Sequence, residues 1–169
     1  MIDSKKIQDF IDLKSKIDAV IGSDRCDDVY NYLKALSDLA ETIEIKFSDD
    51  AEDAAAVWGY ISDGYFSLGA TELAIHASDK QLDALIYAYR ICNDDKKESL
   101  LDRISDALYN IIEYRNRIKY RQDYESGEKF SDDPCQEYMD KVNGILQDAP
   151  NVYIHATNRA KNAFSADPL

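Results

Sequence analysis

Proline is missing from residues 1–133, and the three that exist, Pro134, Pro150 and Pro168, stand near the end of the chain. A proline inside a helix removes a hydrogen bond and clashes with the preceding turn, so nothing breaks a helix by that route before residue 134. Glycine is also scarce, at six residues, and no Asn-Gly or Asp-Gly turn joins two alternating apolar runs; Asp63-Gly64 falls inside a helical pattern. The short-range signature of a β-hairpin is therefore absent. Cysteine occurs only at Cys26, Cys92 and Cys135, without a Cys-x-x-Cys pair. That spacing excludes a zinc ribbon or a redox dithiol and reads as reduced thiols of a cytoplasmic protein. Only His76 and His155 add to the ligands for a transition metal, so we expect neither metal nor cofactor.

Long apolar runs are lacking too. No window approaches the roughly 18 uncharged apolar residues of a membrane-spanning helix, and no apolar core with a cleavage site follows Met1-Ile2-Asp3-Ser4-Lys5-Lys6 as a secretion signal requires. Bases are in deficit, 20 against 33 acids, for a net charge of −13, and 24 of the acids are Asp. A field of that sign repels nucleic-acid phosphates and anionic lipid and favours cationic partners. The expected partner is a basic protein, with no direct nucleic-acid or membrane binding.

What the chain has in quantity is apolar residues at helical spacing. Ile7, Phe10, Ile11, Ile17 and Ile21 predict a helix over 4–21 ended by Gly22. Ser23 or Asp24 would cap a second helix carrying Val29, Leu33, Leu36, Ala40 and Ile43 and ending near Phe47. Asp49-x-x-Glu52 resembles a capping box before a third, with Val57, Ile61, Tyr65 and Leu68, stopped at Gly69. Residues 70–93 read as helix with a break near Ser78, followed by the stripe Leu82, Leu85, Ile86 and Tyr89. Asp95-x-x-Glu98 opens a long helix with Leu101, Ile104, Leu108, Ile111 and Ile118, reaching about Tyr124. A loop over 126–134, a shorter helix with Tyr138, Val142 and Ile145, and a last helical segment over 151–164 complete the chain. The predicted class is all-α: six or seven helices in an antiparallel bundle or a stack of helical hairpins. We expect a main body over 1–126, a C-terminal helical extension over 127–169 packed on the same domain, and a monomer or weak homodimer.

Around the single tryptophan, Trp58-x-x-Ile61-Ser62-x-x-Tyr65, with Gly69 and Ala74 beyond, resembles part of a tetratricopeptide repeat, Trp-x-x-Leu-Gly-x-x-Tyr followed by Ala-x-x-x-Phe and Pro. Ser62 takes the Gly place, Ser78 takes the Phe place, no proline closes the unit, and neither flank repeats the pattern at the roughly 34-residue period. The resemblance implies a packed helical hairpin and assigns no family.

The catalytic motifs fail on their chemistry. Gly59-x4-Gly64 has phosphate-loop spacing, but Tyr65-Phe66 follows where Lys and Ser or Thr would hold phosphate and magnesium. No Gly-x-Ser-x-Gly elbow is present. The all-α nucleotide pyrophosphohydrolases chelate Mg²⁺ with two helical pairs of carboxylates. Here Glu41-x-x-Glu44 has no second pair at suitable distance, and Glu125-x-x-Glu128 and Glu137-x-x-Asp140 are interrupted by Gly127 and Pro134. No catalytic residue is assigned.

The acids Asp24, Asp27 and Asp28, and Asp49, Asp50 and Asp53, sit at predicted helix starts, where carboxylates cap free amides and meet the helix dipole. Capping leaves the large net charge unexplained. Arg115, Arg117, Lys119 and Arg121 form the one basic run, which complements the dipole near a helix C-terminus or faces an acidic partner. Twelve tyrosines are many, and Tyr30, Tyr87, Tyr114, Tyr120 and Tyr124 fall beside the apolar stripes, as interface tyrosines do. The candidate partner-binding set is therefore Asp24, Asp27, Asp28, Tyr30, Asp49, Asp50, Asp53, Tyr114, Arg115, Arg117, Tyr120, Arg121 and Tyr124. The function expected is a non-catalytic acidic binding module of the inhibitor, immunity-protein or antitoxin kind, blocking a basic partner such as a nuclease, with mimicry of nucleic acid as its specialised form. The alternatives are a tetratricopeptide-like adaptor or chaperone and a Mg-dependent pyrophosphohydrolase.

Overall fold

A computed structural model describes the backbone of residues 4–126 and the side chains of residues 5–118. All regular structure among these residues is helical: α1 Ser4–Val20, α2 Cys26–Ala40, α3 Ser48–Ser67, α4 Thr71–Ile91 and α5 Asp94–Ser126. The described residues thus hold five helices, and the expected shorter helix and last segment after residue 126 lie outside them. None of the five is long and apolar enough to cross a membrane. The chain divides into two compact units, residues 1–92 and residues 93–169.

In the first unit each helix packs on the next, α3 and α4 most extensively. The α3–α4 connection follows from Gly69. Its φ of +73° is open to glycine without penalty. The turn lets Ala70 N–H reach the Tyr65 carbonyl and Gly69 N–H the Phe66 carbonyl, both at 2.9 Å, the paired bonds of a Schellman ending. Gly22, φ +81°, ends α1 as expected.

Burial departs from the predicted stripes in α1. Ile17 and Val20 are buried and Phe10 and Leu13 half-buried, whereas Ile7, Ile11 and Ile21 are 42–48% exposed. The seam is the row 10-13-17-20; the isoleucines form a second apolar row beside it. In α2 the buried set Val29, Leu33, Leu36 and Ala40 is as expected, but the helix ends at Ala40 instead of near Phe47. Its expected cap is also different. Ser23 Oγ donates to the Val20 carbonyl at 2.6 Å, closing α1, and no side chain caps α2.

α3 is the central element, burying Ala51, Ala54, Ala55, Val57, Trp58, Ile61, Ser62, Gly64 and Tyr65. Its two glycines are contact points. A Cβ on Gly64 would lie 2.6 Å from Leu33 Cδ2 of α2, and one on Gly59 would lie 2.6 Å from Gln81 Nε2 of α4. Spacing that mimics a phosphate loop thus serves helix packing. The atom met is the far end of a flexible side chain, although the Gln81 amide oxygen is buried, so the crowding is offset by helix propensity and Gly59→Ala is expected to change stability by no more than about 1 kcal/mol. Chemical denaturation checks this; a loss above about 1 kcal/mol would mean that Gln81 is fixed.

The break expected at Ser78 does not occur: α4 runs through it. Ser62 Oγ donates to the Ala74 carbonyl at 3.0 Å and lies 2.7 Å from Ser78 Oγ, with both serines fully buried. Since Ser62 spends its one proton on Ala74, Ser78 donates to Ser62, and both hydroxyls are satisfied inside the hairpin. Ser62 and Ala74, two positions that carried the repeat likeness, therefore meet at the α3–α4 crossing.

A polar cluster ties α1 to α3. Tyr60 O–H donates to Asp18 Oδ1 at 2.6 Å, Lys14 Nζ donates to Asp18 Oδ2 at 2.5 Å, and the same ammonium lies 4.9 Å from the Tyr60 ring centroid. Hydrogen bonds from Lys14 and then Tyr60 hold the Asp18 carboxyl below its usual range. Burial, and then the bond to Asp18, push the Tyr60 hydroxyl above its ordinary 10.0. A hydroxyl that keeps its proton more firmly folded than unfolded stabilises the fold below pH 10, and that stability is lost as pH rises further. Denaturation of wild type and Tyr60→Phe between about pH 9 and 12 is expected to show a shallower alkaline loss in the variant; parallel curves would exclude the linkage.

In the second unit, α5 buries Leu100, Ile104, Ala107, Leu108, Ile111, Ile112 and Tyr114 along one side. Leu101 is only half-buried, so the stripe is entered through its neighbour Leu100.

Candidate functional site

The sequence-selected residues do not form one surface. Asp24 and Asp27 are exposed at the start of α2, and Asp28 is half-buried with its carboxylate 2.6 Å from Arg25 Nε. Tyr30 is 41% exposed, its ring edge-on to Tyr65 with centroids 5.9 Å apart. That contact places the start of α2 beside the end of α3. Asp49 and Asp53, both exposed at the start of α3, therefore lie roughly 20 Å away, about the rise of a dozen or more helical residues.

Two of the selected residues are not on the surface. Asp50 is 5% exposed, its carboxylate accepting the backbone N–H groups of Phe47 and Lys46 at 3.1 and 3.2 Å. It is the acid of Asp49-Asp50-x-Glu52 that caps α3, and its burial removes it from any docking surface. Tyr114 is 4% exposed and belongs to the buried side of α5. Arg115 is half-buried; Arg117 is exposed and paired with Glu113 Oε1 at 2.8 Å. α5 continues to Ser126, and its last turn holds no base, so Arg115 and Arg117 stand within the helix instead of at its end, Arg117 pairing one turn back. Tyr120 and Arg121, with Tyr124, stand in α5 beyond the described side chains.

Among the described residues, a groove lies between α1 and α2. Lys6 Nζ donates to the Thr42 carbonyl at 2.7 Å near one end of this pair, and Lys16 Nζ lies 5.9 Å from the Tyr32 ring centroid near the other. As the residue number rises on α1 it falls on α2, so the helices are antiparallel. Between them runs a shallow groove of about 480 Å³ lined by Asp9, Asp12, Leu13, Lys16, Ala35, Asp38 and Leu39. In the register fixed by those two contacts, Asp38 and Leu39 stand opposite the Asp9–Asp12 turn and Ala35 opposite Leu13, with Lys16 farther along. Of the lining residues, the three carboxylates therefore stand toward one end and Lys16 toward the other, with the Lys6 ammonium on the Thr42 carbonyl just beyond the carboxylates.

The floor is apolar, with Leu13 and Leu39 half-buried. Asp12 accepts a hydrogen bond from Gln8 Nε2 at 2.8 Å; neither Asp9 nor Asp38 has an ion-pair or hydrogen-bond partner among the described residues. An open groove with an apolar floor and carboxylates on its rim can hold the stem of a Lys or Arg while pairing its head. The groove was not among the sequence candidates, because Asp9, Asp12 and Asp38 stand within helices instead of at their starts. Only the α1–α2 register brings them together.

Among the described residues no group of three His, Cys, Asp or Glu is placed to hold a metal ion. Comparison with protein-family models, curated proteins and solved structures finds no match to this chain.

Proposed function

We propose that this protein is a non-catalytic docking module that binds a basic protein partner through the acidic α1–α2 groove, as an inhibitor or immunity protein does when it covers a cationic surface. The observation that carries this reading is the uncompensated Asp9–Asp38 rim over an apolar floor. A net charge of −13 adds long-range attraction to the local complementarity, and such fields speed encounter with cationic surfaces. The test is kinetic: association with a basic partner isolated from the native host should slow steeply with salt, and a rate indifferent to salt would sink the reading. The adaptor reading keeps one supporting observation, the Ser62–Ala74 contact of the α3–α4 hairpin. It calls for a partner held by apolar contact and a weak dependence on salt.

A further inference from the structure

We infer that the α1–α2 groove receives a helix: a segment of about two turns from the partner, bearing an apolar ridge, two or three Lys or Arg at one end, and a neutral or acidic residue at the other. The inference rests on the docking reading above and specifies the element that docks. The first ground is periodicity. The lining residues recur at steps of three and four, 9-12-13-16 on α1 and 35-38-39 on α2. Antiparallel helix pairs with this spacing present a furrow into which the side-chain ridge of a third helix fits, as in other helix-in-groove recognition.

The second ground is length. Residues 9 to 16 span roughly 10 Å at 1.5 Å per residue, about two helical turns. The third is the asymmetry of charge. Asp9, Asp12 and Asp38 stand toward one end, three carboxylates against the one Lys6 ammonium that is bonded to the Thr42 carbonyl, so bases on the incoming helix are wanted there. Lys16, held near the Tyr32 ring, repels a base at the other end. A uniformly basic segment is therefore a poorer fit than one whose charge is confined to a single end, and Lys16 sets the direction in which the segment lies.

Full-length protein titrated with a synthetic amidated Ala-based peptide of about 14 residues tests this, with three Leu at steps of three and four and Lys confined to one end. Binding is read by fluorescence anisotropy at about 50 mM NaCl. Asp9→Asn/Asp12→Asn/Asp38→Asn is expected to weaken binding roughly tenfold, whereas Asp24→Asn/Asp27→Asn/Asp53→Asn, with the same change in net charge, leaves it within about twofold. Lys16→Glu should strengthen binding of a peptide that is basic throughout, and a central proline, which breaks the helix, should abolish binding. Circular dichroism of each variant confirms that it is folded. Equal weakening by both triple variants, or equal affinity of the proline peptide, overturns the helix assignment while leaving acidic docking intact. No peptide binding at millimolar concentration overturns the groove as its site, and salt-independent association with the native partner overturns the docking function itself.

Discussion

Leu33→Ala is expected to lower the stability of the first unit by about 2–5 kcal/mol, the range for removing a fully buried leucine and leaving a cavity. Leu33 has no exposed surface and comes from α2 to cover Gly64 of α3, where a Cβ would meet its Cδ2 at 2.6 Å, Cδ1 at 3.0 Å and Cγ at 3.3 Å. Gly64→Ala alone is expected to destabilise by about 1–3 kcal/mol through overpacking, reduced by up to about 1 kcal/mol of gained helix propensity. Together the two changes should be much less than additive, because with the leucine truncated the added methyl enters space that is otherwise empty. A coupling of roughly 1–3 kcal/mol is expected for groups in direct contact. Urea denaturation of the two single variants and the double variant gives the cycle. Additivity within about 0.5 kcal/mol would show that Leu33 and Gly64 do not confront each other as described.

How much of this was legible in the sequence depended on whether a signal was local. The stop at Gly69 and the long α5 are consequences of neighbours in the chain and were legible, although α5 starts at Asp94 and takes in the Asp95 expected to cap it; the Val29–Leu33–Leu36–Ala40 stripe was legible too, but Ile43, read as its continuation, lies beyond the end of α2. Helix α1 shows where local reading stops. Ile7, Ile11 and Ile21 are as apolar as Ile17, and two rows of helical period coexist. Which row meets α2 is decided by α2.

Ser78 shows the same limit from the polar side. Ser-x-x-Gln reads as a helix start because serine competes for backbone hydrogen bonds, yet here its hydroxyl is satisfied by Ser62, sixteen residues away, and the helix continues. Asp50 and Asp49 are adjacent acids that differ in that one turns inward to the Phe47 and Lys46 amides. No composition argument could divide them.

The groove was invisible for a related reason. Asp9, Asp12 and Asp38 were unremarkable helix-surface acids in the sequence, and they form a rim only because Lys6 meets Thr42 and Lys16 meets Tyr32. Sequence reasoning instead favoured acids at helix starts. Of those acids Asp50 is engaged with the start of α3, and the others are spread between the opposite ends of α3.

If the protein docks a basic partner as proposed, its association rate is expected to fall by one to two orders of magnitude between about 50 and 500 mM NaCl, while dissociation changes severalfold at most. Over that range the Debye length shrinks from roughly 14 to 4 Å. The field of a −13 chain is then confined to its immediate surface before the partner arrives. In the proposed complex the rim contacts would lie within a few ångströms and over an apolar floor, where screening acts less. Asp9→Asn/Asp12→Asn/Asp38→Asn should divide the effect in a complementary way. It removes 3 of the 33 acids, so long-range steering persists and the salt slope is only slightly reduced, whereas dissociation accelerates through loss of the contacts that hold the bound head groups. Removing three acids elsewhere should lower the association rate slightly and leave dissociation unchanged. Stopped-flow or surface-based kinetics on these variants separates the two contributions. A flat association rate would show that the charge serves solubility and helix capping alone, and faster dissociation from both variants would show that the acids act as a diffuse field with no groove at its centre.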